Sequence, residues 1–311
     1  MISVISPIYN EAENISELYE RTRAVLEGLS EEFEFIMVEN GSTDRSLEII
    51  KGLQKKDRRV KFVSLSRNFG HQGAIIAGLA HASGDAVISL DGDLQHPPEL
   101  ISRLVALWKE GNDVVFTIKK RTEKDRGALV TLTRIFYKLI SAISEIELAY
   151  GQSDYRLLSR QVVDAILQIP EKQKFLRGMV QWVGFRQIGV EYEVDQRKRG
   201  ASKFSFGKYI NFALDGIFSF GRYPLHLIMI FSLTMLVFSS LYLIMVIVIW
   251  ILKLLGIVDM PVPRGWTDLI MAICFLGSVQ LMAIGILGEY VERIFEQTKS
   301  RPSFIVKEKS I

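Results

Sequence analysis

Residues 227–252 carry no charged side chain, and neither do residues 269–288. Nothing else limits the possible folds of this chain as much. At 1.5 Å rise per residue these runs make helices of about 39 and 30 Å, each able to cross a hydrocarbon layer of about 30 Å. A pair of buried globular helices is the competing reading, and the lengths disfavour it. Basic residues crowd the outer flanks. Arg197, Lys198, Arg199, Lys203, Lys208 and Arg222 precede the first run, and Arg293, Lys299, Arg301, Lys307 and Lys309 follow the second. The stretch between them holds Lys253, Asp259 and Arg264. The positive-inside rule then places both termini in the cytoplasm and the short connecting loop outside. Trp250 and Trp266 sit near the outer ends, as an aromatic belt requires. Residues 1–8 lack a basic leading region and run into Asn10, Glu11 and Glu13, so no signal peptide is expected there. The single cysteine, Cys274, rules out an internal disulfide and a cysteine metal site.

The first ~120 residues follow a different pattern, in which short apolar runs alternate with helical periodicity. Residues 2–8, 33–38, 60–65, 86–90 and 114–118 read as strands. Residues 11–29, 43–53, 72–81 and 97–110 read as helices, the second capped by Ser42. This alternation predicts an α/β fold with a mostly parallel sheet and helices on both faces. Further on, residues 134–143 read as a helix and 186–194 as a strand. Residues 204–220 are rich in aromatic and apolar side chains, with Lys203, Lys208 and Arg222 around or within them. They read either as an interfacial segment or as an ordinary amphipathic helix on the domain. The expected divisions are a first domain over 1–203, an interfacial segment over 204–223, two spans within 224–290 (225–253 and 267–289) and a cytoplasmic tail over 291–311.

The string DGDLQ, from Asp91 to Gln95, follows the fourth expected strand. Carboxylates at i and i+2 on a turn can face one hard cation, with Gln95 as a third oxygen donor. Alone, Asp-x-Asp is more often a solvated acidic turn. Here it has company. The first strand ends in SPIYNE, where Tyr9 can stack on a base and Asn10 and Glu11 can bond a base or ribose. The second ends at Glu39 and Asn40, and the third runs into SRNFGHQGA, with Asn68 and Gln72. Four successive strands deliver polar groups to one sheet edge, which favours a nucleotide-diphosphate site. No G-x-G-x-x-G follows the first strand and no P-loop string occurs, which disfavours Rossmann and P-loop enzymes.

These strings, with SDYRLLSR, FLRGMVQWVGFRQ, RKRGASKFSF, LDGIFSF and GEYVERIFEQTKSRPSFIV, resemble a family 2 glycosyltransferase of the GT-A fold. Within it the chain is most similar to the polyisoprenyl-phosphate glycosyltransferases, the group of bactoprenol glucosyl transferases and dolichol-phosphate mannose synthases. The resemblance implies that Pro7, Tyr9, Asn10 and Glu11 line the base and ribose pocket. Glu39 and Asn40 match paired acids in the family string, and both depart from it. Asn68 and Gln72 join the nucleotide-sugar site. Asp91, Asp93 and Gln95 match the metal string, with Mg²⁺ or Mn²⁺ as cofactor. His96 stands where an acid is more usual and is not counted as a ligand. Arg197 and Lys203 match diphosphate clamps, and Asp154 matches the family's base position. A lipid phosphate is already largely ionised at neutral pH, so Asp154 can orient or tune the acceptor instead, and a salt-bridge role stays open. Lys119, Arg121 and Arg134 are candidates for the acceptor phosphate, or equally a solvated basic face.

The resemblance thus implies a membrane-anchored, metal-dependent inverting hexosyltransferase of the bacterial inner membrane. Glucose is the expected sugar and UDP the expected carrier. The implied partners are a nucleotide-diphosphate sugar, a polyprenyl phosphate such as undecaprenyl phosphate, and the bilayer. Nucleic acid is not expected, and self-association is left open. A different lipid or glycan acceptor, or a non-catalytic scaffold, are the alternatives.

Overall fold

The computed structural model describes residues 1–120, 152–171, 175–192, 223–257 and 265–310. Of the expectations above, Arg121, Arg134, Arg197, Lys203, Asp259, Arg264, the helix over 134–143 and the interfacial residues 204–222 lie outside the described residues.

Eight strands form one sheet: β1 Ile2–Ile8, β2 Phe33–Glu39, β3 Val60–Leu65, β4 Ala86–Ser89, β5 Val114–Lys119, β6 Gln152–Ser159, β7 Gln187–Tyr192 and β8 Val306–Lys309. Their order is β7-β5-β6-β4-β1-β2-β3-β8. β4, β1, β2 and β3 run parallel, β5 and β7 pair in parallel, and β6 and β8 pair antiparallel with their neighbours. The sheet is therefore mostly parallel, as the alternation predicts.

The strands read as continuous apolar runs because both faces are covered. On one face Val4 and Ile8 of β1 pack with Ile15 and Leu18 of α1 (Ile15–Gly28), Ile50 of α2 (Ser46–Lys56) and Leu104 of α4 (Ile101–Lys109). On the other, Ile5 packs with Ile75 of α3 (Gly70–His81), Val162 of α5 (Arg160–Gln168) and Met179 of α6 (Leu176–Trp182). Contact is closest at α3, where a Cβ on Gly78 would lie 3.0 Å from Ile5 Cβ.

α1 and α2 both start later than the sequence reading. α1 begins at Ile15 because Asn10 turns the chain with φ 54°, and the Glu11 and Ala12 amides donate to Ser46 Oγ and Asp44 Oδ2. α2 begins at Ser46, whose amide donates to Asp44 Oδ1, so Ser42 is not its cap. Both shifts have one cause: polar side chains stitch the two loops to each other instead of extending the helices.

The chain divides into two compact units, residues 1–220 with 300–311, and residues 221–299. The second consists of α7 (Tyr223–Leu254) and α8 (Trp266–Thr298). Among the described residues, Ile228–Leu254 is long and apolar enough to cross a membrane. α8 runs past the expected end at 289, with Arg293 Nη2 2.9 Å from Glu289 one turn back. Such i,i+4 pairs sustain a helix beyond its apolar part. The last residues are not a separate tail. Val306–Lys309 join the first unit as β8, at the free edge of β3.

Candidate active site

The C-terminal ends of β1 to β4 meet at one sheet edge, and β6, running the other way, starts there. Ser89 at the end of β4 pairs with Arg156, which brings Asp154 beside the DGDLQ turn. The turn is fixed by its own residues. The Gln95 amide donates to Asp93 Oδ1 at 3.2 Å, and Leu94 is buried with φ 60°. A non-glycine residue held there stores strain of about 1–3 kcal/mol, of the kind that clusters at functional sites. A Cβ on Gly92 would lie 2.7 Å from Ile8 Cδ1 and 3.1 Å from the Pro7 carbonyl oxygen, so a side chain there would force Ile8 to shift.

Asp91 is partly exposed and lies between two imidazoles, 3.5 Å from His71 Nε2 and 3.2 Å from His96 Nδ1. Burial would raise its carboxyl, yet His71 and His96 hold it below the usual range. Burial likewise works to lower His96, and Asp91 outweighs it, so the imidazole is raised. His96 packs at a tilt against Tyr155 and Tyr192, with Nε2 2.8 Å from Ser153 Oγ. Its Nδ1 thus sits against the Asp91 carboxylate.

Asp154 is buried. Arg177 donates to both its oxygens, Nε to Oδ1 at 2.9 Å and Nη2 to Oδ2 at 3.0 Å, and Arg156 Nη2 donates to Oδ1 at 3.0 Å. His71 Nε2 stands 3.7 Å from Oδ2, so one imidazole approaches both Asp91 and Asp154. Burial pushes the Asp154 carboxyl up. Arg177, with Arg156 and His71, overcomes this and holds it far below the usual carboxylate range. A carboxylate so held is a poor proton acceptor and a well-oriented fixed charge. Arg156 itself is fully buried, and burial lowers its guanidinium to about 10.

The loops expected to take the nucleotide are cross-linked. Asn10 Oδ1 accepts from the Thr43 amide at 2.8 Å. Glu39 accepts from Ser64 Oγ at 2.6 Å and from the Ser42 amide. Asn40 Nδ2 donates to Asn68 Oδ1 and to the Gly70 carbonyl, and its Oδ1 accepts from the Phe69 amide at 2.9 Å. Glu39 and Asn40 therefore shape the pocket by holding its loops. Gly41, with φ 69°, lies so close to the next loop that a Cβ would meet Arg67 C at 2.5 Å. Pro7, Tyr9 and Glu11 are half-buried at the end of β1. Gln72 Oε1 and Gln152 Nε2 are buried without hydrogen-bond partners among the described residues, as groups awaiting a ligand would be. Lys119 is exposed at the end of β5, where Ile118 pairs with Gln152.

Among the described residues, no three His, Cys, Asp or Glu side chains converge on one ion position. The donors Asp91, Asp93 and Gln95 offer oxygen alone. Two carboxylates, completed by water and phosphate oxygens, suit Mg²⁺ or Mn²⁺ rather than a caged ion. The residues present fit the implied metal.

A family model for Glycosyl transferase family 2 matches residues 3–167. The chain belongs to this family. Its relatives extend over the whole chain. A bactoprenol glucosyl transferase of Shigella phage SfX is 39% identical over 306 residues, 98% of each chain. An uncharacterized glycosyltransferase, sll0501, of Synechocystis is 40% identical over 312 residues, 99% of this chain and 95% of that one. Among solved structures, glucosyl-3-phosphoglycerate synthase from Mycobacterium tuberculosis, in complex with Mn²⁺ and UDP-glucose, aligns with a TM-score of 0.47 and 22% identity over 70% of this chain and 77% of its own. This glycosyltransferase thus carries its Asp-x-Asp turn and Asp154 at the edge where the family 2 sheet ends. Sequence reasoning passed over Arg177, Arg156 and His71. Each lies in a quoted string, but no local signal marks a residue as the partner of a distant carboxylate.

Proposed function

We propose that this glycosyltransferase moves glucose from UDP-glucose to a polyprenyl phosphate such as undecaprenyl phosphate, with inversion, at the cytoplasmic face of the bacterial inner membrane. One observation carries the reading. Asp91 and Asp93 on the β4 turn and the arginine-bound Asp154 on β6 lie at one sheet edge. A donor side and an acceptor side are thereby set next to each other. The phage relatives, named bactoprenol glucosyl transferases, support the acceptor.

The acceptor phosphate oxygen attacks the anomeric carbon as the bond to the diphosphate breaks. The nucleophile is already ionised, so no proton has to be taken from it. Asp91, Asp93 and Gln95 would hold Mg²⁺ or Mn²⁺, which neutralises charge on the departing diphosphate when bound. Asp154 keeps Arg177 and Arg156 in place and faces the reaction with a fixed charge. Tyr9, Asn10 and Glu11 line the base and ribose, over a floor braced by Glu39, Asn40 and Asn68, with Gln72 beside it. Arg197 and Lys203 clamp the diphosphate, and Lys119, Arg121 and Arg134 hold the acceptor phosphate. A two-helix anchor over 224–290 keeps the enzyme where its lipid lies.

The test is to incubate purified enzyme with radiolabelled nucleotide sugars and undecaprenyl phosphate, then extract the lipid. Label from UDP-glucose in the lipid phase is expected. Its absence with every donor would overturn the acceptor, and label from a different sugar alone would overturn the donor.

A further inference from the structure

The last strand has no place in the mechanism above, yet it backs the donor loops. β8 pairs antiparallel with β3, Val63 opposite Lys309 and Ser64 opposite Glu308. At its start the Ser66 amide donates to the Ile305 carbonyl at 2.9 Å, and Ser66 opens the loop that carries Asn68. At its end the Ser310 amide donates to the Phe62 carbonyl at 3.0 Å, and the Phe62 amide donates to Ser310 Oγ at 2.9 Å. The segment also lies against α3. A Cβ on Gly73 would sit 3.2 Å from the Ser303 carbonyl oxygen, the Phe304 ring is 6.1 Å from that of His81, and both Phe304 and Val306 pack into the core under α3. The first turn of α3 bears His71, which approaches Asp91 and Asp154, and Gln72 with its orphan oxygen.

The β3–α3 loop is thus gripped from two sides. Asn40 and Gly41 hold it from β2, and residues 303–310 hold it from the far edge. Residues 299–302 alone separate this strand's approach from the end of α8 at Thr298. We propose that the C-terminal segment 303–310 is a positioning element of the donor site. By clamping Ser66 and the first turn of α3, it sets where Asn68, His71 and Gln72 meet the nucleotide sugar. It thereby makes donor affinity depend on residues that follow the membrane anchor in the chain. The inference rests on the donor-site reading above, and the experiment separates the two.

The full-length enzyme in detergent micelles is compared with a truncation after Pro302 and with Phe304→Ala, which keeps the chain and removes one anchor. Amide exchange over residues 66–73 is measured first, because it needs no substrate. The KM for UDP-glucose and kcat follow. Loss of the clamp should speed exchange at residues 66–73 and raise KM about tenfold, with kcat within about twofold, the change expected when a local brace worth about one decade in affinity is lost. A synthetic peptide of residues 300–311 added to the truncated enzyme should reverse both effects, by completing the β3 edge. If the truncation fails to fold, Phe304→Ala is judged by the same two measurements. Unchanged exchange at residues 66–73 with unchanged KM would overturn the proposal, as would a loss confined to kcat. Were the wild type inactive with UDP-glucose, the function above would fail, while the exchange data would still decide whether the strand holds the loop.

Discussion

Arg177 grips Asp154 with two parallel hydrogen bonds, at 2.9 and 3.0 Å, across 23 residues of sequence. The fork fixes the carboxylate plane as well as its charge, which a lysine cannot do. Arg177→Lys should therefore leave the membrane protein folded and lower kcat by about one to two orders of magnitude, the usual loss of roughly 1.5–3 kcal/mol when a charged hydrogen bond is removed. Steady-state kinetics with saturating donor checks this, and near-wild-type turnover would remove Arg177 from the site.

The same pairing settles the role of Asp154 in pH dependence. Its folded carboxyl lies below the unfolded value of about 3.9, so the stabilisation is fully present above that pH and is lost below it, as pH falls through the lower folded value. Asp154 therefore stays ionised between about 5 and 8. Asp154→Asn should slow transfer yet keep an acid limb near the lipid phosphate's pKa of about 6. Disappearance of that limb in a pH–rate profile would restore Asp154 as a true base.

Asp93→Asn tests the cation. The volume barely changes, but a hard ion loses a charged ligand. Most transfer should vanish while far-ultraviolet circular dichroism is retained. EDTA should reproduce the loss in the wild type, with Mg²⁺ or Mn²⁺ restoring it. Full activity in chelator would dismiss the metal.

Gly41→Ala adds a Cβ where backbone atoms of Arg67 and Asn68 lie at 2.5–2.9 Å, on a residue with φ 69°. The two loops must part. A cost of about 1–3 kcal/mol from the backbone conformation alone is expected, with the clash added. Urea unfolding of the variant should show a lower midpoint, and its donor KM should rise.

Topology can be read with reporters. β8 follows α8 in the chain and pairs with β3 in the sheet of the first domain, so a reporter after Ile311 is expected on the same side of a membrane as that domain. The positive flanks predict that this side is the cytoplasm. A reporter after Ile311 should be cytoplasmic and one inserted near Asp259 external. Opposite signals from the first domain and from Ile311 would contradict the sheet.

The parallel core was legible because β1 to β5 are buried on both faces and therefore read as apolar runs. β6 was not, because Asp154 and Arg156 interrupt it, and a charge pair buried in a strand looks like a loop until its partner, Arg177, is known. β8 was hidden for the opposite reason. VKEK is the sequence of an exposed edge, alternating half-buried and exposed, and carries too little hydrophobicity to announce itself. The site followed the same division. Asp91, Asp93 and Asp154 were marked by local strings, whereas His71 and Arg177 became visible only once distant loops met. Glu39 and Asn40 read as polar groups delivered to the expected nucleotide edge, and in the structure they hydrogen-bond the neighbouring loops and strand.

Residues 306–309 are synthesised after both long helices, yet they pair with residues 63–65, which precede those helices. While the chain is growing, β3 is an open edge, its unpaired amides and carbonyls available to any passing strand. The apolar helices emerge before that edge can be closed. The β3 edge can therefore close only after both helices have been made, and a chain interrupted before residue 306 would keep that edge open. Such a chain carries an unpaired strand edge of the kind that templates aggregation.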